Sequence, residues 1–172
     1  MSELRLVGIA TGSQIHLRAF GDHRDLRIMT KTISYRLLGL GKIHEPLASQ
    51  LKAEGILLLD EGIRGSATYI NFRAPGKASN WLRRWFTASI ALTRVRLWAQ
   101  MYAQNIIDVP VTDERLKSMQ FSIEGDGTLL VAFDASLFHS DWSGRIEYRF
   151  QSAQARAFLD KLGEAGLSGA GQ

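Results

Sequence analysis

The sequence predicts a mostly-β α+β fold: an antiparallel β-barrel capped by a C-terminal α-helix, with an N-terminal α/β extension. Three observations carry this. From residue 56 onward the apolar residues leave helical spacing and gather in short runs, most of which alternate with polar residues. Turn-forming clusters separate the runs, the clearest being Glu124-Gly125-Asp126-Gly127. After the last run, Ala155, Phe158, Leu159 and Leu162 fall on one helical stripe. A strongly bent sheet has an open end that admits water to its core, and a helix with a single apolar stripe can plug it.

Taken in order, residues 4–20 mix β-branched and apolar residues with Gly12 and Ser13, the pattern of a short strand pair. Leu26, Met29, Ile33 and Leu37 recur at spacings of three and four, which predicts an amphipathic helix within 22–38 ended by Gly39-Leu40-Gly41. Pro46 can start a second helix over 46–54, stopped by Gly55. Ile56-Leu57-Leu58-Leu59 opens the β region, and residues 67–72 are rich in strand formers. Residues 74–80 read as a loop by composition, and 85–92 as the next strand. The alternation slips at Thr93-Arg94, as at a tight turn or bulge. Beyond it Val95, Leu97, Ala99 and Met101 share one face, while Arg96, Trp98, Gln100 and Tyr102 share the other.

A hairpin follows, with Met119, Phe121 and Ile123 on the outward limb and Leu129, Val131 and Phe133 on the return. Ile146, Tyr148 and Phe150 then alternate with Arg145, Glu147 and Arg149, one more strand with a wet face. Ser152 is the expected N-cap of the terminal helix and Gly163 its stop. The chain divides into an extension over 1–54, a barrel with its helix over 55–163, and a flexible tail over 164–172.

Composition sets the outer limits. Of 172 residues, 45% are hydrophobic and 22% charged, the balance of a soluble globular chain rather than a disordered one. No apolar run approaches the roughly 18 residues that span a bilayer. The N-terminus lacks a charged-then-apolar secretory signal, so the expected location is the cytoplasm. The absence of cysteine excludes disulfides, thiolate metal sites and cysteine catalysis. Charge is unevenly spread. Residues 62–107 contain no Asp or Glu but hold Arg64, Arg73, Lys77, Arg83, Arg84, Arg94 and Arg96. That block carries +7 against a net +4 for the chain, leaving −3 elsewhere. An anion would approach the basic block, provided strand alternation does not scatter its charges.

The strand turn Ser89-Ile90-Ala91-Leu92-Thr93-Arg94-Val95-Arg96-Leu97 resembles the small-apolar-Leu-Thr-x-x-Arg-Leu turn of the bacterial pleckstrin-homology-like group, related in layout to GRAM-type domains. Ile106-Ile107-Asp108-Val109-Pro110 is similar to that group's entry to its fourth strand. More narrowly, residues 71–77 and 133–144 look like segments of an uncharacterised bacterial family. The resemblance covers about the last two-thirds of the chain and implies a pleckstrin-homology-like barrel. It implies no single chemistry, because that fold hosts lipid-, peptide- and protein-binding members.

The resemblance also points to a site. Phosphoinositide-binding members grip phosphates with basic residues between their first two strands, and Arg73, Lys77, Arg83 and Arg84 occupy that region here, with Trp81 and Trp85 interleaved. Arg can hold phosphate bidentately, and Trp favours a membrane interface. The family's Lys, variable loop, Lys-x-Arg pattern is not reproduced. The alternative is that the tryptophans pack on the barrel while the arginines face water. A second cluster, Asp134, His139 and Asp141, offers cation ligands within eight residues, or else turn formers that bond their own backbone.

Catalytic signatures are missing. His16, His23, His44 and His139 are scattered outside any Gly-x-Ser-x-Gly or His-Glu-x-x-His context. Gly39-Leu40-Gly41-Lys42 lacks the upstream glycine and the hydroxyl of a phosphate-binding loop. The sequence therefore points to a binding module rather than an enzyme, with no cofactor and no metal. The leading expectation is a cytoplasmic module for a protein or peptide partner. Next is peripheral binding to an anionic membrane or phosphate groups through residues 73–84. Nucleic-acid binding, resting on a pI near 9.6 and interleaved Trp and Arg, is the weakest of the three.

Overall fold

The computed structural model describes residues 31–39 and 41–166. The strand pair expected within 4–20, the early part of the helix expected within 22–38 and most of the tail lie outside the described residues. The described elements run α1 (Ile33–Leu38), α2 (Leu47–Ala53), β1 (Ile56–Ala74), β2 (Lys77–Thr93), β3 (Arg96–Met101), β4 (Gln104–Pro110), α3 (Glu114–Lys117), β5 (Gln120–Glu124), β6 (Thr128–Asp134), a 3₁₀ turn (Ala135–Leu137), β7 (Ser143–Gln151) and α4 (Ala155–Glu164). Seven strands form one sheet in the order β4-β3-β2-β1-β7-β6-β5, and every neighbouring pair is antiparallel. The ladder is not closed: β4 and β5 are its two outer edges. The mostly-β sheet and the C-terminal helix are thus as the sequence predicts.

The main core lies on one face of this sheet. Ile63, Phe86, Leu97, Val131 and Phe150 meet there, together with Phe158 and Leu162 of α4. Ala155, Phe158 and Leu162 are buried and Leu159 packs at the margin, so the predicted stripe is the face α4 presents. The helix boundaries differ from expectation. Ser152 stands two residues too early to cap, because Gln154 is the N-cap. Ser152 Oγ instead accepts from the Gln154 N–H at 3.0 Å and donates to Asp60 at 2.6 Å, tying the helix entry to β1. Gly163 lies within the last helical turn, and the helix continues to Glu164. Left-handed backbone is adopted by Gly166, not Gly163.

Residues 74–80, read as a loop, are corrected to strand. β1 and β2 pair as far as Ala74 and Lys77, leaving only Pro75 and Gly76 as the turn. Composition misled because Gly, Ser and Asn recur there, yet the antiparallel partner supplies the backbone hydrogen bonds that decide a strand. The two apolar runs at 56–59 and 67–72 likewise join into one strand of 19 residues. Its register shifts at Glu61/Ile63, where Gly62 has φ +75° and the Tyr35 ring sits so close that a Cβ would collide with it.

A second, smaller core occupies the opposite face. Ile43, Leu51, Ala91 and Trp98 are buried together, with Leu47 and Leu59 packed against them. β3 is therefore covered on both sides. Leu97 and Ala99 face the main core, while Trp98, on the opposite face as alternation predicts, lies wholly buried beneath α2. Gln100 is buried as well, and its amide donates to the Gly41 carbonyl at 2.8 Å. Glu54 anchors α2 to the strand turn through ion-paired hydrogen bonds with Arg96 and accepts from Thr93 Oγ1 at 3.1 Å. The slip expected at Thr93-Arg94 is this turn. Thr93 Oγ1 accepts the Val95 and Arg96 amides. In α1 the described part of the expected apolar stripe does not face inward: Ile33 and Leu37 are exposed. Thr32 caps that helix, and the Tyr35 hydroxyl, pushed up to about 12 by burial and its hydrogen bond to Glu61, anchors it to β1.

Candidate functional site

Strand length creates the site. β3 pairs with β2 only at residues 88–92, and the last bond on that side runs from the Tyr102 N–H to the Thr87 carbonyl at 2.9 Å. β2 continues for ten residues beyond this, from 77 to 86, paired to β1 alone among the described residues. Successive peptide groups of a strand point to opposite sides. The alternation that sends the Thr87 carbonyl toward β3 sends the N–H and C=O groups of Trp85, Arg83 and Trp81 to the same, open side. Over residues 82–86 the even-numbered residues bond to β1, while at the hairpin tip Lys77 pairs with Ala74. Tyr102 Oη reaches the Trp85 carbonyl at 3.3 Å, in keeping with this direction.

Side chains along this edge alternate as well. Trp81, Arg83 and Trp85 stand on the outward face of the sheet, where Trp81 is 62% and Trp85 58% exposed. The Arg83 guanidinium lies 5.5 Å from the centre of the Trp81 ring and donates from Nε to Thr68 Oγ1 at 3.0 Å. Arg84 projects to the opposite face, in register with Ala67. Arg73 donates to the Phe72 carbonyl and to Asn80 Oδ1, and Lys77 flanks the turn, exposed. Of the residues singled out from sequence, Trp81 and Arg83 therefore share a face. Arg73 and Lys77 lie at the hairpin tip, and Arg84 is turned away from the pair. The tryptophans do not pack on the core.

The register extends the outward face across the sheet. Trp85, Ser66 and Arg149 form one row over β2, β1 and β7; Arg83, Thr68 and Glu147 form the next. Arg149 ion-pairs with Glu124 at 2.7 Å and Glu147 at 2.8 Å, and donates to Thr68 Oγ1 at 3.2 Å. Burial pushes the Glu147 carboxyl up, but hydrogen bonds from Arg145 and Arg149 outweigh it and hold it below the ordinary range. The Glu124 and Glu147 carboxylates raise Arg149 in turn. Between these rows and Arg64 lies an open cleft of about 390 Å³, with Ser66, Thr128 and Gln151 in its lining. Sequence reasoning placed Arg149 on a wet face but missed Ser66 and Gln151. Nothing in one strand's pattern tells which residue of another stands beside it.

The second cluster is dispersed. Asp134 Oδ1 accepts from the backbone N–H and hydroxyl of Ser136, capping the 3₁₀ turn, and these bonds lower its carboxyl. His139 stacks on Trp142 with ring centres 3.9 Å apart. Among the described residues no three His, Asp or Glu side chains gather as metal ligands. None of the described helices is long and apolar enough to cross a membrane.

Comparison with protein-family models, with curated proteins and with solved structures finds no match for this chain.

Proposed function

We propose that this chain is a protein-interaction module, not an enzyme, and that it takes up an extended acidic segment of a partner protein as an added strand along residues 77–86 of β2. The observation that carries the reading is the open edge itself, bordered by Trp81 and Trp85. Sheet edges exposed to water are ordinarily blunted by charge, proline or short length. β4 ends in Pro110, and α4 packs against β5. The β2 edge is long and carries two exposed indoles, the combination that strand addition uses: main-chain bonds for affinity, alternate side chains for selectivity. The lack of Asp and Glu throughout 62–107, with Arg73, Lys77, Arg83 and Arg84 near the edge, favours an acidic strand.

The seven-strand antiparallel order and the C-terminal helix on the core face support the finer reading, a pleckstrin-homology-like barrel in which the sheet curls and α4 covers its open end. A cytoplasmic setting fits this function.

Tryptophan fluorescence of the full chain, titrated with a short peptide alternating Glu and Val, tests the proposal. Saturable binding should weaken at least tenfold in Trp81→Ser/Trp85→Ser, and the matching Lys/Val peptide should not bind. Equal response to both peptides would overturn it. A second reading rests on the same indoles: two exposed tryptophans beside cations at a hairpin suit an anionic membrane surface, each cation adding ~1 kcal/mol near it. Co-sedimentation with anionic and neutral liposomes at physiological salt separates the two.

A further inference from the structure

One hydroxyl on the outward face has no partner among the described residues. Ser66 is 1% exposed, and its Oγ makes no hydrogen bond among the described residues. Its neighbour on the same face, Thr68, accepts from both Arg83 and Arg149. A buried hydroxyl left unpaired is unfavourable by about 1–3 kcal/mol, and such a group in a cleft is a place where a ligand completes what the fold leaves open.

The register sets Ser66 between Trp85 and Arg149. Arg64 stands in the row before it and Arg83 in the row after, and both line the cleft. Arg149 is already neutralised by Glu124 and Glu147. Arg64 and Arg83 form no ion pair among the described residues. Thr128 and Gln151 add a hydroxyl and an amide to the wall. Glu124, the acidic residue of the lining, is engaged with Arg149. Donors thus outnumber free acceptors in the lining, with Ser66 on the middle row and Arg64 and Arg83 on the rows either side of it.

We propose that this cleft is an oxyanion site for a phosphate monoester, with Ser66 Oγ donating from the floor and the Arg64 and Arg83 guanidinium groups from the sides. A tetrahedral, dianionic group can use donors from three directions, whereas a planar carboxylate is satisfied by a single guanidinium fork. The site lies on the face of the sheet, not on its edge, and does not depend on strand addition.

The test is titration of the full chain with inorganic phosphate and with phenyl phosphate, followed by ¹H–¹⁵N correlation spectra. Saturable shifts are expected at Arg64, Ser66, Trp85 and Gln151. Affinity should fall about tenfold in Arg64→Gln and about fivefold in Ser66→Ala, as for a lost charged and a lost neutral hydrogen bond, and stay unchanged in Lys117→Gln. Because the hydroxyl is unpaired, Ser66→Ala should melt no lower than the natural chain, so lost binding there is not lost folding. Vesicles of phosphatidic acid in phosphatidylcholine identify the source. Competition with phenyl phosphate marks a lipid headgroup, and indifference marks a soluble monoester. Affinities equal in Arg64→Gln, Ser66→Ala and Lys117→Gln, a non-saturable response, or a lowered melting temperature for Ser66→Ala would overturn the proposal.

Discussion

Arg83 and Arg84 are adjacent and identical in kind, yet the open edge assigns their backbone N–H groups opposite fates. Proline at each position reads the difference. At 84 the N–H faces β1, in register with Ala67. Arg84→Pro removes a ladder bond, about 1 kcal/mol net, and strands the Ala67 carbonyl, whose residue is 1% exposed, at about 1–3 kcal/mol more. At 83 the N–H points to the open side, so Arg83→Pro loses only side-chain contacts: the exposed stacking on Trp81 and the bond to Thr68 Oγ1, which keeps its Arg149 donor. That loss is about 1 kcal/mol or less. The expected gap between the variants is about 2 kcal/mol, a melting-temperature difference of about 4–8 °C for a chain of this size. Urea denaturation at neutral pH with unchanged m-values measures it. Equal destabilisation would show that the Arg83 N–H is bonded in the fold, and the open edge would be refuted.

Other consequences concern the smaller core and two part-buried carboxylates. Leu51→Ala should destabilise the chain by about 2–4 kcal/mol and red-shift emission from Trp98, because it opens a cavity under α2; denaturation followed by fluorescence checks both. Burial raises the Asp60 carboxyl, so its favourable contribution is full below the ordinary carboxylate range and is lost as pH rises through the folded value. Asp60→Asn, whose side-chain oxygen still accepts from Ser152, should therefore melt higher than the natural chain near neutral pH and lose that advantage in acid. Glu147 has the opposite sign. Its lowered carboxyl stabilises the fold above the ordinary range, and that stability is lost as pH falls through the folded value. Glu147→Gln should be destabilised near neutral pH by about 1–2 kcal/mol and converge on the natural chain in acid, as thermal melts across pH would show.

What could be read from the sequence was whatever one strand or helix decides by itself. The alternation of Ile146, Tyr148 and Phe150 against Arg145, Glu147 and Arg149, the Glu124–Gly127 turn and the stripe from Ala155 to Leu162 all reappear in the fold. Each needs only local period and turn chemistry. What required a partner was not legible. Alternation sets Trp98 on the face opposite Leu97 and Ala99, but only α2 makes that face a buried one. Residues 74–80 looked like a loop because their strand character comes from β1. The candidate site divides in the same way. Trp81 and Arg83 were within reach of sequence, since alternation puts them together, and it also separates Arg84 from them. Ser66 was not, because its significance lies in cross-strand register and in a hydroxyl that nothing among the described residues satisfies.

Hydrogen exchange resolved at single amides tests the central claim most directly. In the free chain the amides of Trp81, Arg83 and Trp85 should exchange fast, while those of Leu82, Arg84 and Phe86, bonded to β1, exchange slowly. Adding the Glu/Val peptide should slow the first set and leave the second unchanged. Uniform protection of all six in the free chain, or peptide binding that leaves the odd-numbered amides fast, would contradict strand addition at β2.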